Sequence, residues 1–559
     1  MPINALDAVF AQEGTALALP GGAVLIAAGE TTPALYRVTA GRLAEIEAMA
    51  EGGGKVLGIH RPGDLIGGGQ LLGGARRFAA VTALRDSELQ AIPASRALQL
   101  LKEEPDFLAA VARAALAPMA APSGAERRKS AILGFVAVCD TVAMRDLAER
   151  LAIAMRDLGA DVAVIGAEAR DKAPAWLSAL EIENDFVIMA AERSDPEFTA
   201  YCGRQIDRLV LVGGADTPLP ERAAPFAAAA LQKQRLMDFI LVQPPGTRRP
   251  RESERWLGSA PASRLFQVRD GDAEDLARLA RVYTGNSVGL ALSGGGARAY
   301  AHVGAVRALR ELGVPIDFLG GTSMGAVIAA GVAMEWDDEE LDRRIRNAFV
   351  ESSPLSDIAF PLLAMTRGGL VDHRLKTHFD AARIGDLWRP FTCISTDLTA
   401  GAMRVHRRGS LRHALRASLS LPGVLPPVID HGHVLVDGAM ANNLPTGLVR
   451  EQHDGVTIGV DAAAAHGLKP DDLLLKPSGL RWLTSGAWRK GPPIVSVLIS
   501  SATIPTVGRR APDTDDSCIV LSPDLGMVGL QDWKAYDMAV EAGYRSVMEA
   551  ADRLEPLRR

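Results

Sequence analysis

From Ala131 to Val212 the apolar residues arrive in short unbroken runs: Ala131 to Val138, Val162 to Ile165, Phe186 to Met189 and Leu209 to Val212. The amphipathic stretch Met144 to Leu158 separates the first two. Runs this short and continuous predict buried strands, and their alternation with helical stretches predicts a parallel α/β sheet.

A different pattern precedes them. From about residue 16 to 95, strands such as Ala23-Val24-Leu25-Ile26 and Ala34-Leu35-Tyr36-Arg37-Val38 are interrupted by Gly41, Gly52 to Gly54 and Gly63. Short strands at close, regular spacing predict a small all-β roll. Ser95 to Leu116, rich in Ala, Leu and charge, predicts helix. A break follows at Ala121-Pro122-Ser123-Gly124, then the basic run Arg127-Arg128-Lys129. Further on, Pro244-Pro245-Gly246 and Arg248 to Arg255 predict a surface loop, and a third domain opens near Ser287. A chain of 559 residues is too long for one core. The expected division is 1–120 for the roll with trailing helices, 128–285 for a Rossmann-like α/β middle domain, and 286–559 for a third, α/β domain.

Composition narrows the setting. Hydrophobic residues at 48% and charged residues at 23% are ordinary for a soluble globular chain, and a net charge of −6 gives no reason to expect nucleic acid. Cys139, Cys202, Cys393 and Cys518 lie far apart, so free thiols in a reducing compartment are expected, and no metal site. The start of the chain lacks a basic segment followed by an apolar one. No apolar run approaches the ~18 residues needed to span a bilayer. The expected location is therefore cytoplasmic, with any membrane contact peripheral, on the inner face.

Chemistry concentrates in the third domain, which holds two Gly-x-Ser-x-Gly matches. Gly285-Asn286-Ser287-Val288-Gly289 precedes the apolar strand Val288 to Leu292 and reads as turn chemistry. Gly321-Thr322-Ser323-Met324-Gly325 has the strand Ile316 to Leu319 leading in and the helix Ala326 to Met334 leading out. That is the setting of a nucleophile elbow, where a tight strand-to-helix turn exposes the serine Oγ and Gly321 and Gly325 avoid clashes. Gly294-Gly295-Gly296-Ala297-Arg298 follows the strand Val288 to Leu292 and opens a helix from Ala299 towards Leu312. Glycine-rich backbone at a helix start offers free N–H groups that suit an oxyanion. Gly294-x-Gly296 is also half of a dinucleotide fingerprint, but Ala299 takes the third glycine position and no acid follows the next strand at the expected distance. Asp437-Gly438-Ala439, after the strand Val434 to Val436, places a carboxylate at a strand end, where it can act as a base.

Together and in this order, these elements resemble the patatin-like phospholipase family, with its Gly-Gly-Gly-x-Arg/Lys-Gly, Gly-x-Ser-x-Gly and Asp-Gly-Gly/Ala motifs. The similarity covers about Ser287 to Leu554, including Ser418-Leu419-Ser420-Leu421-Pro422-Gly423 and Asn442-Asn443-Leu444-Pro445. It implies a Ser323–Asp437 dyad without histidine and an oxyanion hole at Gly294, Gly295, Gly296 and Arg298, with no cofactor and no metal. Ala299 departs from the family's glycine. A Ser-His-Asp triad is the rival arrangement, for which His453 and His466 follow Asp437. Both lie in polar, loop-like surroundings that read as surface, whereas His302 reads as packed or helix-capping. Pro361 to Met365 and Ile494 to Ile504 read equally as acyl-chain groove or core. Trp482, Leu483 and Trp488 among Arg481, Arg489 and Lys490 fit an interfacial surface or a solvated loop.

The N-terminal roll resembles a cyclic-nucleotide-binding domain through Pro62-Gly63-Asp64-Leu65-Ile66-Gly67 and Arg77-Phe78-Ala79-Ala80-Val81. In that family a glutamate holds the ribose hydroxyl and an arginine the cyclic phosphate. Arg77 matches the arginine, but Gly68 stands in the glutamate's place, so a structural or protein-contact domain is expected and cyclic nucleotide is not. With this roll upstream, the chain resembles bacterial members of the neuropathy target esterase group. That resemblance implies deacylation of phospholipid or lysophospholipid. Cys202-Gly203-Arg204-Gln205-Ile206-Asp207 is similar to that group's connector, from which no chemistry follows.

Overall fold

The computed structural model describes residues 5–48, 54–73, 79–116, 131–171, 174–218, 236–258, 263–351, 355–360, 363–463, 517–526 and 528–558. They fall into two compact units, Met1–Thr247 with Arg255–Ala280, and Arg248–Glu254 with Arg281–Arg559.

The first unit opens with the roll. Its strands are β1 (Thr15–Leu19), β2 (Val24–Ile26), β3 (Ala34–Ala40), β4 (Leu43–Ala48), β5 (Gly54–His60), β6 (Leu65–Ile66), β7 (Ala80–Ala83) and β8 (Ser87–Pro93). They form two antiparallel sheets, ordered β1-β8-β3-β6 and β2-β7-β4-β5. The predicted trailing helix is two helices, Ala94–Glu103 and Pro105–Leu116, because Pro105 disfavours helical geometry at Glu104. Leu100, Leu101, Phe107 and Val111 from this pair close over Leu35 and Ile92 of the roll.

The second sheet of this unit is six-stranded and wholly parallel. It consists of β9 (Ala131–Ala137), β10 (Val162–Ile165), β11 (Phe186–Ala191), β12 (Arg208–Gly214), β13 (Met237–Gln243) and β14 (Arg264–Arg269), in the order β10-β11-β9-β12-β13-β14. Every strand is covered, as the continuous apolar runs require. The Cys202–Asp207 segment, whose role is not legible in the sequence, is where the roll docks. Asp207 receives the Ile132 N–H and, at 2.5 Å, the Arg42 guanidinium of the roll. Arg85 reaches Glu181 at 2.8 Å, and the Asp86 N–H donates to Arg204 O at 3.0 Å. Ala44, Ile46 and Leu84 of the roll close the joint against Leu236.

The second unit is built on an eight-stranded sheet of β15 (Val288–Leu292), β16 (Phe318–Thr322), β17 (Phe391–Asp397), β18 (Ala402–His406), β19 (Val428–Asp430), β20 (His433–Asp437), β21 (Val456–Val460) and β22 (Cys518–Leu521). The order is β19-β20-β17-β16-β15-β21-β22, with β18 also on β17. Strands β15, β16, β17, β21 and β22 are parallel neighbours, β18 and β20 run antiparallel to β17, and β19 runs antiparallel to β20. The Tyr536–Met548 helix packs on the Ala301–Glu311 helix at near-backbone contact. Gly304 faces Val540 O and Gly543 faces Ala301 O, and neither has room for a Cβ.

Candidate active site

Strand β17 acts as the ruler of the site. Ile394 pairs with Thr322 and with Val405, and Ser395 pairs with Asp437 and with Arg404. A strand residue has two sides, and β18 occupies one of them. Thr322 and Asp437 therefore fall on the same side of β17 at consecutive positions. The end of β16 and the end of β20 meet there, one arriving parallel and the other antiparallel.

Ser323 follows β16 directly and starts the Met324–Ala333 helix, two residues earlier than the sequence suggests. Its backbone sits at φ 54°, ψ −126°, a conformation an L-residue adopts only at a cost. Close approach makes the flanking glycines obligatory. A Cβ on Gly321 would lie 2.6 Å from Ala326 Cα, and one on Gly325 would strike the Ser293 and Leu292 carbonyls. The turn is held from outside by the buried Ser418, whose Oγ accepts the Ser323 N–H at 2.9 Å, and by Thr322 Oγ1, which donates to Asn442 O at 3.0 Å.

Across the gap, Ser323 Oγ donates to Asp437 Oδ2 at 2.6 Å. The other carboxylate oxygen accepts the Ala439 N–H at 2.9 Å. The Asp437 backbone is fixed on both sides, its N–H to Ser420 O and its carbonyl to Thr396 Oγ1, each at 2.9 Å. Burial pushes the carboxyl up to about 6, against the pull of the Ser323 hydroxyl and the Ala439 N–H. It is a stronger base than an ordinary aspartate, already hydrogen-bonded to the proton it would take.

The glycine loop lies beside Ser323. A Cβ on Gly294 would stand 3.2 Å from Ser323 Cβ. The four residues named from sequence divide in use. Gly294 donates its N–H to Asn443 O at 3.2 Å. Arg298 donates its N–H to Gly295 O, and its buried guanidinium holds Ala462 O at 2.9 Å and Val528 O at 2.8 Å. Arg298 thus braces the loop from behind and brings no donor to the serine, a correction to the sequence reading. Gly295 and Gly296 keep N–H groups that have no acceptor among the described residues, at the start of the 3₁₀ turn Gly296–Tyr300. Gly296 has φ +54°, and a Cβ there would strike Leu530 O, so the loop needs glycine at that point. Ala299 is fully buried in the same turn.

His302 is packed, as expected. Burial pushes it down to about 4, so it stays neutral, and Nε2 lies 2.8 Å from Ser293 O behind the loop. His453 is not the surface residue expected from its polar neighbours. It is 6% exposed, stacks on Phe318 at 4.8 Å, and contacts Ser287 Oγ and Thr457 Oγ1, each at 3.1 Å. The structure therefore sets His453 against Ser287, in a closed interior, and not against Ser323. Ser418 and Asn443, which shape the site, belong to the two further stretches of the family resemblance, Ser418 to Gly423 and Asn442 to Pro445, but no role for either is legible in the sequence. Of the Pro361 to Met365 segment, Leu363 is exposed, Ala364 is buried, and Met365 packs on the core. Arg77, Phe78, Pro361, Leu362, His466, Trp482, Leu483, Trp488 with its basic neighbours, and Ile494 to Ile504 lie outside the described residues.

The six-stranded sheet has its own topological switch point, between the ends of β9 and β12, where sheets of this kind bind nucleotides. Here Gly214 N–H donates to Cys139 Sγ and Thr141 Oγ1 meets Thr217 Oγ1 at 2.6 Å. The N-terminus of the Met144–Asp157 helix, where a phosphate would sit, is taken by Glu192, which accepts the Met144 and Arg145 N–H groups.

Comparison with known proteins bears on the whole chain. Residues 290–450 match the patatin-like phospholipase family, and residues 16–104 match the cyclic nucleotide-binding domain. An uncharacterised NTE family protein of Mycobacterium bovis is 31% identical over 96% of this chain and 92% of its own length. The chain belongs to the NTE family. Patatin-like phospholipase domain-containing protein 6 of Mus musculus is 28% identical over 94% of this NTE family chain, which spans 44% of that longer protein. Among solved structures, the catabolite activator protein of Thermus thermophilus is 22% identical, with a TM-score of 0.20, over 33% of this chain and 78% of its own. Among the described residues, no helix is long and apolar enough to cross a membrane.

Proposed function

We propose that this protein is a serine lipid-acyl hydrolase that cleaves acyl esters of phospholipids or lysophospholipids at a membrane surface. In this reading residues 286–559 form the catalytic domain, and the roll (1–120) and the Rossmann-like domain (128–285) are its scaffold. The observation that carries it is the 2.6 Å hydrogen bond from Ser323 Oγ, on a strained elbow, to a desolvated Asp437 carboxylate.

Ser323 Oγ attacks the ester carbonyl carbon while its proton passes to Asp437 Oδ2. The carbonyl oxygen becomes an oxyanion received by the Gly295 and Gly296 N–H groups. Collapse breaks the bond to the alcohol, which leaves with the proton from Asp437, and the acyl group remains on Ser323. Water then gives its proton to the same carboxylate, attacks the acyl carbon and releases the fatty acid, restoring the Ser323 hydroxyl. A histidine has no step to perform.

The test is labelling by a fluorophosphonate probe followed by turnover of a phospholipid and lysophospholipid panel. Labelling of the parent chain but not of Ser323→Ala, with fatty acid released from either lipid class, supports the reading. Labelling that survives Ser323→Ala ends it.

A further inference from the structure

The peptide units of the glycine loop are held in a pattern. In the Ser293–Gly294 peptide both ends are taken. His302 Nε2 lies 2.8 Å from Ser293 O, and the Gly294 N–H donates to Asn443 O at 3.2 Å. In the next peptide, Gly294–Gly295, the carbonyl alone is held. Asn443 Nδ2 donates to Gly294 O at 3.4 Å, and the Gly295 N–H has no acceptor among the described residues. The Gly295–Gly296 peptide repeats this, with Gly295 O accepting the Arg298 N–H at 3.1 Å and the Gly296 N–H open.

A peptide is planar and trans, so its C=O and N–H point in opposite directions. Gripping the carbonyl therefore aims the N–H at the far end, and a donor at the oxygen makes that N–H a stronger donor in turn. Both open N–H groups are backed in this way. For Gly296 the grip is backbone on backbone. For Gly295 it is a side chain, that of Asn443, which is 7% exposed.

Close packing fixes the Asn443 amide in place. The point that a Gly294 Cβ would occupy is bordered by Asn443 Oδ1 at 2.8 Å and by Ser323 Cβ at 3.2 Å. The residue before it is held as well, since Asn442 O accepts from Thr322 Oγ1 at 3.0 Å. The stretch that follows Asp437 thus ties the elbow and the glycine loop to the base.

We propose that the Asn443 side chain is a positioning residue for the oxyanion hole. It aims and polarises the Gly295 N–H through the Gly294 carbonyl and does not itself touch the substrate. This assignment rests on the hydrolase reading above and deepens it.

The test compares a soluble short-chain ester with its thionoester, in which sulfur replaces the carbonyl oxygen, on the full chain. Sulfur accepts hydrogen bonds more weakly than oxygen, so the ratio of the two rates reports on the hole itself. Asn443→Ala keeps the backbone contact to Gly294 and loses the amide. Its kcat for the ester should fall about 10- to 100-fold, less than for loss of a direct oxyanion donor, with KM nearly unchanged. Its kcat for the thionoester should fall much less, so the oxygen-to-sulfur ratio shrinks. Asn443→Asp fills the same volume but, ionised at alkaline pH, sets an acceptor against Gly294 O, and its ratio should shrink too. Should the alanine variant fail to fold, the aspartate variant carries the same comparison. Equal losses on both substrates in a folded variant overturn the inference, and so does an aspartate variant with the parental kcat, since the amide would then only pack. A parent that hydrolyses no ester and takes no fluorophosphonate ends the hydrolase reading and the inference with it. An active parent whose ratio survives both substitutions keeps the enzyme and ends the inference alone.

Discussion

Ser323 donates its hydroxyl proton to Asp437 Oδ2 at 2.6 Å, and the carboxylate that receives it is 2% exposed. Burial has raised that group to about 6, so its base form is lost in a mildly acidic range where ordinary aspartates stay ionised. The expected kcat/KM for a soluble ester is flat above about pH 7 and falls about tenfold per pH unit well below pH 6. A pH–rate series reads this directly, and a profile level down to pH 4.5 contradicts it.

The raised pKa also sets activity against stability. The folded pKa of Asp437 lies above its unfolded value, so any favourable contribution is complete below the unfolded pKa and is lost as pH rises through about 6. At neutral pH the fold carries a charge it would rather not hold. Keeping that carboxylate ionised inside the fold costs about 3 kcal/mol as an upper figure. Asp437→Asn removes the charge and keeps the bonding, because its oxygen can accept from the Ala439 N–H and its amide can donate to the Ser323 hydroxyl. Turnover should drop by about 10² to 10⁴. Stability to denaturant should rise by about 1–3 kcal/mol at pH 7, with the gain vanishing towards pH 4. An asparagine variant less stable than its parent at pH 7 would show that the carboxylate is not strained by its burial.

Backbone strain at the elbow separates two inactive variants. Ser323 holds φ 54°, ψ −126°. Alanine at this position keeps the strain, and glycine relieves it, by about 1–3 kcal/mol. Both Ser323→Ala and Ser323→Gly should abolish hydrolysis, but only the glycine variant should melt later. Equal melting temperatures would mean that the surroundings, and not the serine backbone, bear the cost. Ser287→Ala should leave turnover intact.

His453 is where burial changes the expected mutant behaviour. Stacked on Phe318 and touching Ser287 and Thr457, it ties β15, β16 and β21 together from the interior. His453→Ala should cost about 2–4 kcal/mol, in the range of other large-to-small core changes. The pH–rate profile of the folded fraction should keep the limb near pH 6. Disappearance of that limb in the histidine variant would bring the triad back.

These residues also show what a sequence gives away and what it hides. The elbow, the glycine loop and Asp437 are legible because their chemistry needs small residues at fixed spacing beside apolar strands. Their meeting is not, since it depends on Thr322 and Asp437 facing consecutive positions of β17, a pairing made across the 114 residues of chain between Thr322 and Asp437. Strands β13 and β14 are hidden for another reason. Asp238 and Gln243 flank the short apolar run Phe239 to Val242 of the first and hold it to four residues, and each is answered from the second, Asp238 by Arg264 at 2.6 Å and Gln243 by Gln267 at 2.9 Å. Buried polar pairs make a core strand read as a surface one, and the same mechanism makes His453 read as exposed.

The roll provides the last prediction. A glutamate at the Gly68 position would be needed to hold a ribose hydroxyl, and its absence alone costs on the order of 1.5–3 kcal/mol, or roughly one to two decades of affinity. The structure adds a second obstacle. The Gly68–Gly73 helix packs on the Pro105–Leu116 helix so closely that a Cβ at Gly68 would stand 3.1 Å from Val111 Cγ1 and 3.9 Å from Ala115 Cβ. Helix packing occupies the space in which the carboxylate would start. Cyclic AMP and cyclic GMP at micromolar concentration should therefore give no heat of binding and no thermal shift. Gly68→Glu, which would be a gain-of-binding variant if only the carboxylate were missing, should instead lower the melting temperature and still bind nothing. Val111→Ala combined with it should recover part of that loss by making room. Saturable binding by the parent chain, or by Gly68→Glu alone, would mean that the two helices separate easily, and the roll would then be a sensor and not a scaffold.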